Sequence, residues 1–236
     1  MKYSVILPTY NERDNLPLMI SMLNTAFTTS KLDYEVIVVE DNSPDGTLQV
    51  AKDLQRTYGE NRLVIHSRPG KMGLGSAYID GLQLCKGDFI FLMDADMSHH
   101  PREIPKFIAR QKSGNYDVVT GTRYAQGGGI AGWDLGRILT SRGANFIATL
   151  LLNPGVSDLT GSFRLYKKNV LETLMKSVKG RTYVFQMEVV VRAKQMGYTV
   201  AEVPIIFVDR LYGESKLGAG EIVSYLKGLW DLFLDV

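Results

Sequence analysis

The sequence predicts an α/β protein with a mostly parallel central sheet flanked by helices, and three observations support that prediction. Short β-branched runs alternate with longer amphipathic segments through the first half of the chain, which is typical of consecutive βαβ units. The chain has 236 residues, enough to bury one sizeable core. The sequence contains no internal repeat and no low-complexity segment that would mark a second domain. We therefore expect residues 1–236 to form a single domain.

Composition and charge exclude several classes of protein. Hydrophobic residues make up 45% and charged residues 22% of the chain, which excludes collagen-like, disordered and coiled-coil structures. The formal net charge of +2 is far too small to indicate a nucleic-acid-binding protein. Cys85 is the single cysteine, which excludes an internal disulfide and a multi-cysteine zinc site and favours a reducing compartment. Without a cleavable signal pattern or a run of about 18 apolar residues, the chain is expected to be neither secreted nor membrane-spanning.

The elements of the first half follow one another in a regular order. Strands are predicted at residues 3–7, 34–39, 63–66, 88–93 and 117–121. Helices are predicted between them at residues 15–27 and 47–58, each after a capping residue type, and at 76–86 after the glycine-rich residues 69–75. Because ligands bind beyond the carboxyl ends of parallel strands, we expect the functional residues directly after each strand.

The regular alternation stops after Arg123. Four glycines fall within residues 124–133, which predicts a poorly ordered loop of the kind that serves as a lid or a linker. Apolar residues at three-to-four spacing then predict the C-terminal helices, at residues 137–152, 184–196 and 221–234.

The residues after the first strand exclude two common nucleotide sites and suggest another. Residues 8–12 contain no glycine, so neither a Rossmann dinucleotide fingerprint nor a Walker loop is present. Tyr10 can stack on a base, and Glu12 can accept hydrogen bonds from a base edge or a ribose. The alternative is a loop that leads into a helix with an acidic first turn.

Asp41 follows the second strand, one loop away from Tyr10 and Glu12. Its carboxylate can accept hydrogen bonds from the base or the sugar hydroxyls of a nucleotide, and the alternative is a capping role in a turn-rich stretch. The following pair, Asp45-Gly46, is predicted to form a turn.

The residues after the fourth strand give the most specific chemical signal. An apolar run ends in Asp94 and Asp96, which point the same way if the strand continues. Two close carboxylates repel each other unless a cation lies between them, and a divalent ion of the Mg²⁺ or Mn²⁺ type suits carboxylates together with substrate phosphate oxygens. His99 and His100 are expected to cap the next turn or line the site rather than form a zinc site. The alternative for the two aspartates is a solvated turn.

Taken together, these motifs resemble the family 2 glycosyltransferases of the GT-A fold, and among them the catalytic subunits of the dolichol-phosphate mannosyltransferases. The resemblance spans nearly the whole chain, and several motifs in one order are more specific than any single motif. The matching stretches are residues 8–12, 38–47, 94–101, 121–124 and 158–166, followed by Arg210 with residues 213–217.

The resemblance implies a nucleotide-sugar-binding half, residues 1–123, and an acceptor-binding half, residues 124–236. The implied nucleotide-sugar-binding residues are Pro8, Tyr10, Glu12, Val39, Asp41, Lys71, Asp94, Ala95, Asp96, Arg123, Arg210 and Lys216. The implied residues for the acceptor phosphate are Arg123, Arg137 and Ser141, and those implied to be catalytic are Asp94, Asp96, Arg123 and Arg210. The implied metal ligands are Asp94 and Asp96, with Ser98 as a weaker candidate because some relatives have a glutamine there.

The activity that the resemblance implies is an inverting transfer of mannose from GDP-mannose to dolichyl phosphate, with Mg²⁺ or Mn²⁺ as cofactor. The products would be GDP and dolichyl β-D-mannosyl phosphate, for the assembly of glycans, GPI anchors and O-mannose. A phosphate monoester has a second pKa of about 6, so this acceptor already carries a deprotonated oxygen at neutral pH and needs no strong base. Asp158 is therefore favoured as an orienting residue over a general base, and Arg142 and Arg164 are further candidates for contacting phosphate.

A lipid acceptor implies a membrane surface as partner, with small membrane-anchoring subunits in some relatives. We expect a peripheral protein at the cytoplasmic face of the endoplasmic reticulum membrane. The apolar residues of 146–152 and the terminal helix with Trp230 and Phe233 either lie in the bilayer interface or belong to the core.

Three other functions remain open from the residues alone. The first is transfer of glucose, or of another sugar, to a polyprenyl phosphate. The second is a sugar-nucleotide pyrophosphorylase, which is disfavoured because residues 8–12 lack a glycine-rich loop. The third is a noncatalytic module that binds a nucleotide sugar, which would have no need for Asp94 and Asp96 together with the arginines.

Overall fold

A computed structural model describes residues 1–180, 184–212 and 219–235. Within these residues, seven strands form one central sheet in the order β3-β2-β1-β4-β7-β5-β8. The strands of this sheet are β1 (Lys2–Thr9), β2 (Asp33–Glu40), β3 (Leu63–Ser67), β4 (Phe89–Leu92), β5 (Val118–Thr122), β7 (Arg164–Lys167) and β8 (Val200–Pro204). The five strands predicted for the first half are all present, displaced by no more than two residues at either end.

The pairing of the strands brings the predicted functional residues to one edge of the sheet. β1 pairs in parallel with both β2 and β4, and β5 pairs in parallel with β8. Only β7 is antiparallel to its neighbours, and it lies between β4 and β5. Because the carboxyl ends of β1, β2, β4 and β5 share one edge, the residues that follow them converge there.

Helices cover both faces of the sheet. They are α1 (Leu16–Thr29), α2 (Thr47–Tyr58), α3 (Leu74–Leu84), α4 (Ile104–Gly114), α5 (Leu135–Leu152), α6 (Lys168–Ser177), α7 (Val184–Gln195) and α8 (Ala219–Asp235). Side chains of β1 alternate between the two faces, as Val5 and Leu7 join one core cluster while Ile6 joins the other. A third cluster lies between α5, α7 and α8.

The second half is more regular than the sequence predicted. The expectation that the alternation stops after Arg123 was wrong, because β7, α6 and β8 continue the sheet and its helical cover. β7 has only four residues and runs antiparallel, so it lacks the long buried run by which a parallel strand is recognised. The helix α4 was also not predicted.

Residues 124–133 form a structured connection rather than a poorly ordered loop. Gly129–Ala131 (β6) pairs in parallel with Ile206–Val208 (β9) to make a small second sheet. Gly132 follows with φ of +90°, and a Cβ there would lie 2.9 Å from Cβ of Asp209. The glycines therefore serve a close backbone approach, which a composition-based reading cannot distinguish from disorder.

An apolar surface remains exposed on the two neighbouring helices α5 and α8. Leu139, Phe146 and Leu150 on α5 and Trp230 on α8 are 69%, 69%, 72% and 56% exposed, respectively. Other members of the same helices, including Ala148 and Leu229, are buried in the third core cluster. In the described parts of the chain, no helix combines the length and the apolarity needed to cross a membrane.

Candidate active site

The loops after β1 and β2 are tied together by three backbone donors. The N–H groups of Asn11, Glu12 and Arg13 donate to Ser43 Oγ at 3.0 Å, to Thr47 Oγ1 at 3.0 Å and to Asp45 Oδ2 at 3.1 Å. The predicted turn at Asp45-Gly46 is confirmed, since Gly46 has φ of +89°. Burial opposes ionisation of Asp45, but the hydrogen bonds from Thr47 and from the backbone N–H of Arg13 hold its pKa below the ordinary value. These hydrogen bonds fix the two loops against each other and so form one wall of the site.

Tyr10, Glu12 and Lys71 lie on that wall. Lys71 Nζ is 5.3 Å from the centre of the Tyr10 ring, so the glycine-rich turn lies next to the residue that follows the first strand. Glu12 is buried, and its Oε2 accepts a hydrogen bond from Asn15 Nδ2 at 2.7 Å. Pro8 and Val39 face each other in the register of β1 and β2, beneath these side chains.

Asp41 is held by an arginine that the sequence analysis missed. Arg68 Nε donates to Asp41 Oδ1 at 2.6 Å, and both side chains are buried. Arg68 also donates to Ser76 Oγ at 2.8 Å and to Asp80 Oδ2 at 3.2 Å, which joins the ends of β2 and β3 to α3. Arg68 directly follows β3, so the rule applied to the other strands would have singled it out.

The two aspartates after β4 are fixed by different hydroxyl groups. The strand ends at Leu92, so the aspartates lie in a turn in which Met97 has φ of +69°. Asp94 Oδ2 accepts from Ser162 Oγ at 2.6 Å, and Asp96 Oδ1 accepts from Ser98 Oγ at 2.6 Å. Asp96 is only 8% exposed, which contradicts a solvated turn. Ala95 is buried between the two aspartates.

The two histidines support the turn, as predicted. His99 Nδ1 accepts the backbone N–H of Asp94 at 3.2 Å, and its ring stacks on Phe163 at 5.3 Å. Burial lowers the pKa of His99 and so favours the neutral ring. His100 Nδ1 accepts the backbone N–H of Arg102 at 3.1 Å and so caps the short 3₁₀ turn Pro101–Glu103.

The segment after β9 covers the aspartate turn. Arg210 Nη2 lies 3.2 Å from Asp96 Oδ2. The backbone N–H groups of Val208 and Leu211 approach the carbonyl oxygens of Ser98 and Asp96, both at 3.4 Å. Lys216, predicted to act with Arg210, lies outside the described residues.

Arg123 and Asp158 form a buried bidentate ion pair. Arg123 Nε donates to Asp158 Oδ2 at 2.7 Å and its Nη2 to Oδ1 at 2.8 Å. Burial alone would raise the pKa of Asp158, but the charge and hydrogen bonds of Arg123 lower it. Burial would likewise lower the pKa of Arg123, and Asp158 raises it. A carboxylate held in this way is suited to orient Arg123 and poorly suited to accept a proton.

The remaining predicted acceptor residues lie on α5, facing the same region. Arg137 Nη1 donates to Asp209 Oδ1 at 3.3 Å, and Ser141 Oγ is 2.6 Å from the Tyr124 hydroxyl. Arg142 is exposed, with its guanidinium 5.9 Å from the Tyr124 ring.

Arg164 is not available to a ligand, which corrects the expectation that it contacts phosphate. Its side chain is fully buried and donates to the backbone carbonyls of Gln186 and Leu159. It lies on β7 directly opposite Leu92 of β4 and therefore inside the sheet rather than at its edge.

The aspartate turn has the donor set of a weakly held Mg²⁺ or Mn²⁺ ion. Magnesium is commonly bound through one or two carboxylates with substrate phosphates completing its shell. Asp94 and Asp96 supply such carboxylates, and Asp94 is partly exposed at the mouth of the site. Within the residues that the structure describes, no cluster of three or more His, Cys, Asp or Glu side chains forms a closed metal cage. The residues therefore fit an ion that is held jointly with a substrate.

The mostly parallel sheet and the acidic turn at its carboxyl edge agree with the GT-A glycosyltransferase class that the motifs resemble. Residues 4–175 match the model of the family described as glycosyl transferase family 2. The chain therefore belongs to glycosyl transferase family 2, which confirms the resemblance drawn from the motifs.

Two characterised relatives are similar over most of the chain. The polyprenol monophosphomannose synthase of Mycolicibacterium smegmatis is 37% identical over 222 residues, which cover 92% of this chain and 82% of that protein. The dolichol-phosphate mannosyltransferase of Pyrococcus furiosus is 38% identical over 236 residues, which cover 98% of this chain and 64% of that protein. This chain thus spans less than two thirds of the second relative's length.

Solved structures confirm the predicted fold. Glucosyl-3-phosphoglycerate synthase from Mycobacterium tuberculosis, solved with Mn²⁺, UDP and glucosyl-3-phosphoglycerate, superposes with a TM-score of 0.72 at 17% identity, over 99% of this chain and 79% of that one. Mannosyl-3-phosphoglycerate synthase from Rubrobacter xylanophilus superposes with a TM-score of 0.72 at 15% identity, over 100% and 73%. At these identities the likeness establishes the shared fold.

Proposed function

We propose that this protein transfers mannose from GDP-mannose to a polyprenyl phosphate of the dolichyl type, with inversion, to give GDP and a β-mannosyl phospholipid. One observation carries the proposal: residues 209 and 210 face two different sites. Arg210 contacts the carboxylate of Asp96, and Asp209 contacts the guanidinium of Arg137. A site for a leaving diphosphate and a site for an anionic acceptor therefore adjoin at one segment, and the names of the two relatives support mannose as the sugar.

The donor side would bind the nucleotide and stabilise its departure. Tyr10 offers a ring face to the base, while Glu12 and Asp41 offer carboxylates to the base edge or the ribose. Asp94 and Asp96 would hold Mg²⁺ or Mn²⁺, which supplies positive charge to the diphosphate when bound. Arg210, already next to Asp96, would add its guanidinium to the developing charge of the leaving GDP.

The acceptor side would bind a phosphate monoester without removing a proton. Arg123 and Arg137 present guanidinium groups, whose planar geometry suits phosphate oxygens. The acceptor oxygen is already deprotonated at neutral pH, so the reaction needs no general base. Asp158 can therefore remain paired with Arg123 throughout the transfer. A phosphate oxygen would form the new bond to the anomeric carbon as the bond to GDP breaks on the opposite face. This displacement inverts an α-linked donor to a β-linked product.

The acceptor's lipid chain leads to a proposal about location. We expect the protein to bind peripherally at the cytoplasmic face of the endoplasmic reticulum membrane, through the exposed apolar residues of α5 and α8. The proximity of Arg137 and Ser141 to those residues on α5 supports this orientation, because the lipid tail must leave the phosphate site toward the bilayer. Small membrane-anchoring subunits remain proposed partners.

The activity is tested by following labelled mannose from GDP-mannose to dolichyl phosphate with Mg²⁺ or Mn²⁺ added. We expect transfer in the wild-type protein, loss of transfer with a chelator, and loss in Asp96→Ala. Because Asp53 is an exposed residue of α2, Asp53→Ala serves as the matched control and should retain activity. Binding of Mn²⁺ in the presence of GDP, measured by electron paramagnetic resonance, should be weakened in Asp96→Ala and unchanged in Asp53→Ala.

Three results would contradict the proposal. Retained turnover both with chelator and in Asp96→Ala would remove the metal from this turn. Transfer from UDP-glucose in preference to GDP-mannose would favour the glucosyltransferase alternative. Binding of GDP-mannose without any turnover, in the presence of lipid and metal, would favour the noncatalytic module.

A further inference from the structure

We infer that Trp133 is a positioning residue that holds Arg137 and Arg123 as a pair for the acceptor phosphate. This inference rests on the proposed function and adds a residue to it. Trp133 lies between β6 and α5, directly after the glycine-rich connection, and no motif in the sequence marks it.

The indole ring lies within cation–π distance of both arginines of the proposed acceptor site. The guanidinium carbon of Arg137 is 3.9 Å from the centre of the Trp133 ring, and that of Arg123 is 5.7 Å from it. Both distances fall within the range of about 6 Å for a cation–π interaction, which becomes stronger as the cation is desolvated. One aromatic side chain therefore contacts both cations.

The need for such a residue follows from charge repulsion. Two guanidinium groups that converge on one phosphate repel each other before the phosphate arrives. Asp158 compensates the charge of Arg123, and Asp209 compensates that of Arg137. Each carboxylate therefore pairs with only one of the two arginines. The electron-rich indole ring, by contrast, contacts both of them.

The ring itself is fixed by packing. Trp133 meets Phe207 of β9 edge to face, with centres 5.3 Å apart and an interplanar angle of 70°. Among the residues that the structure describes, its buried Nε1–H has no hydrogen-bond partner. The close approach of Gly132 to Asp209 sets the indole beside β9. The role of Trp133 therefore depends on its ring faces, which phenylalanine also offers.

Two single substitutions of Trp133, one that removes the aromatic ring and one that keeps it, test the inference. In Trp133→Leu, which removes the aromatic face, we expect the KM for farnesyl phosphate to rise about tenfold. The Kd for GDP should stay unchanged. Trp133→Phe should restore most of the wild-type KM. Tyr116→Leu is the matched control, because it removes a cation–π contact with Arg110 at 4.9 Å on α4, and it should leave the KM for farnesyl phosphate unchanged.

A fluorescence measurement tests the same point in folded protein with Trp133 intact. The chain has two tryptophans, so Trp230→Phe leaves Trp133 as the reporter. Farnesyl phosphate should change its emission because the phosphate charge comes to lie beside the guanidinium groups that contact the ring, and farnesol should not.

Each outcome separates this inference from the proposed function. If wild-type protein transfers mannose to farnesyl phosphate and Trp133→Leu has the wild-type KM, the positioning role is wrong and the function stands. An equal response of Trp133 to farnesol and farnesyl phosphate would also overturn the role. If the wild-type protein neither transfers mannose nor responds to farnesyl phosphate, both are overturned.

Discussion

At the scale of single residues, the site depends on buried ion pairs more than on exposed ones. Asp41 pairs with Arg68 and Asp158 pairs with Arg123, and all four side chains are buried. Taking such charges out of water is costly, so neither partner can be removed without exposing the other to an apolar environment. These pairs therefore make the positions of the charges at the site rigid before any substrate binds.

Asp158→Asn should destabilise the fold by about 3–5 kcal/mol, because it leaves the Arg123 guanidinium buried without a counter-charge. Urea denaturation measures this loss directly. Asp53→Asn, which removes an exposed pair with Arg56, should change stability by less than about 0.5 kcal/mol.

The difference in stability between the wild type and Asp158→Asn should depend on pH, in a direction that follows from the pKa of Asp158. The pKa of Asp158 is lower in the folded protein than in the unfolded chain, where it is about 3.9. The stabilisation is therefore complete above the unfolded-state pKa and is lost as the pH falls below it toward the folded value. The gap between wild type and Asp158→Asn should narrow below about pH 4. A gap that is independent of pH would rule out this pair as its source.

The residue scale also shows where sequence reasoning succeeds and where it fails. Tyr10, Glu12, Asp41, Asp94 and Asp96 were proposed as site residues because each follows a strand, and the structure places them at one edge of the sheet. Arg164 was misassigned because the sequence does not reveal that β7 is inserted antiparallel beside β4, which buries this side chain. The partner of a buried charge depends on tertiary contact, so pairs such as Asp158 with Arg123 could not be predicted.

At the scale of elements, the small sheet of β6 and β9 positions Trp133, which packs on Phe207, and also Arg210. The two strands are only three residues long, and their pairing spans more than 70 residues of sequence. Local propensity carries no signal for such a contact, which is why the glycine-rich stretch read as a loop. The long helices, by contrast, were predicted with their boundaries nearly correct, because their apolar periodicity is local.

Gly132→Ala should disturb this small sheet. Its φ is +90° and a new Cβ would lie 2.9 Å from Cβ of Asp209, so we expect a loss of about 1–3 kcal/mol in stability. Thermal and urea unfolding would measure the loss. We also expect weaker binding of GDP, measured by calorimetry, because Asp209 adjoins Arg210.

Gly143→Ala on α5 is the matched control for that change. A Cβ at Gly143 meets no atom within 4 Å. Since alanine has the higher helix propensity, this variant should be as stable as wild type or more stable by up to about 1 kcal/mol. A Gly132→Ala protein with unchanged stability and GDP affinity would show that β6 and β9 do not depend on this close approach.

At the scale of the whole molecule, the sheet separates two environments. The predicted βαβ order of the first half is present in the structure, and the match to the GT-A fold confirms the fold class. The donor loops cluster at the edge formed by β1, β2 and β4. The apolar residues of α5 and α8 are left on the surface beside the proposed acceptor site.

Substituting Phe146→Glu together with Leu150→Glu should weaken binding to phosphatidylcholine vesicles about tenfold, because two exposed apolar side chains leave the proposed interface. Vesicle co-sedimentation measures this effect. Turnover with water-soluble farnesyl phosphate should change little.

Leu18→Glu is the control for membrane binding, since Leu18 is an exposed leucine of α1, outside α5 and α8, at 41% exposure. If both proteins bind vesicles as the wild type does, α5 does not contact the bilayer. If Leu18→Glu weakens binding as strongly as the double variant, the effect is general rather than specific to this face.

The adjacency of Asp209 and Arg210 has a thermodynamic consequence. One peptide bond separates a carboxylate that neutralises Arg137 from a guanidinium that neutralises Asp96. A ligand that binds Arg137 releases Asp209 from its ion pair, and a ligand that binds Asp96 releases Arg210. Binding at either site therefore affects the segment that contacts the other site. If the proposed nucleotide and lipid substrates bind at these two sites, their affinities are thermodynamically linked, and linkage is reciprocal: each substrate changes the other's dissociation constant by the same factor.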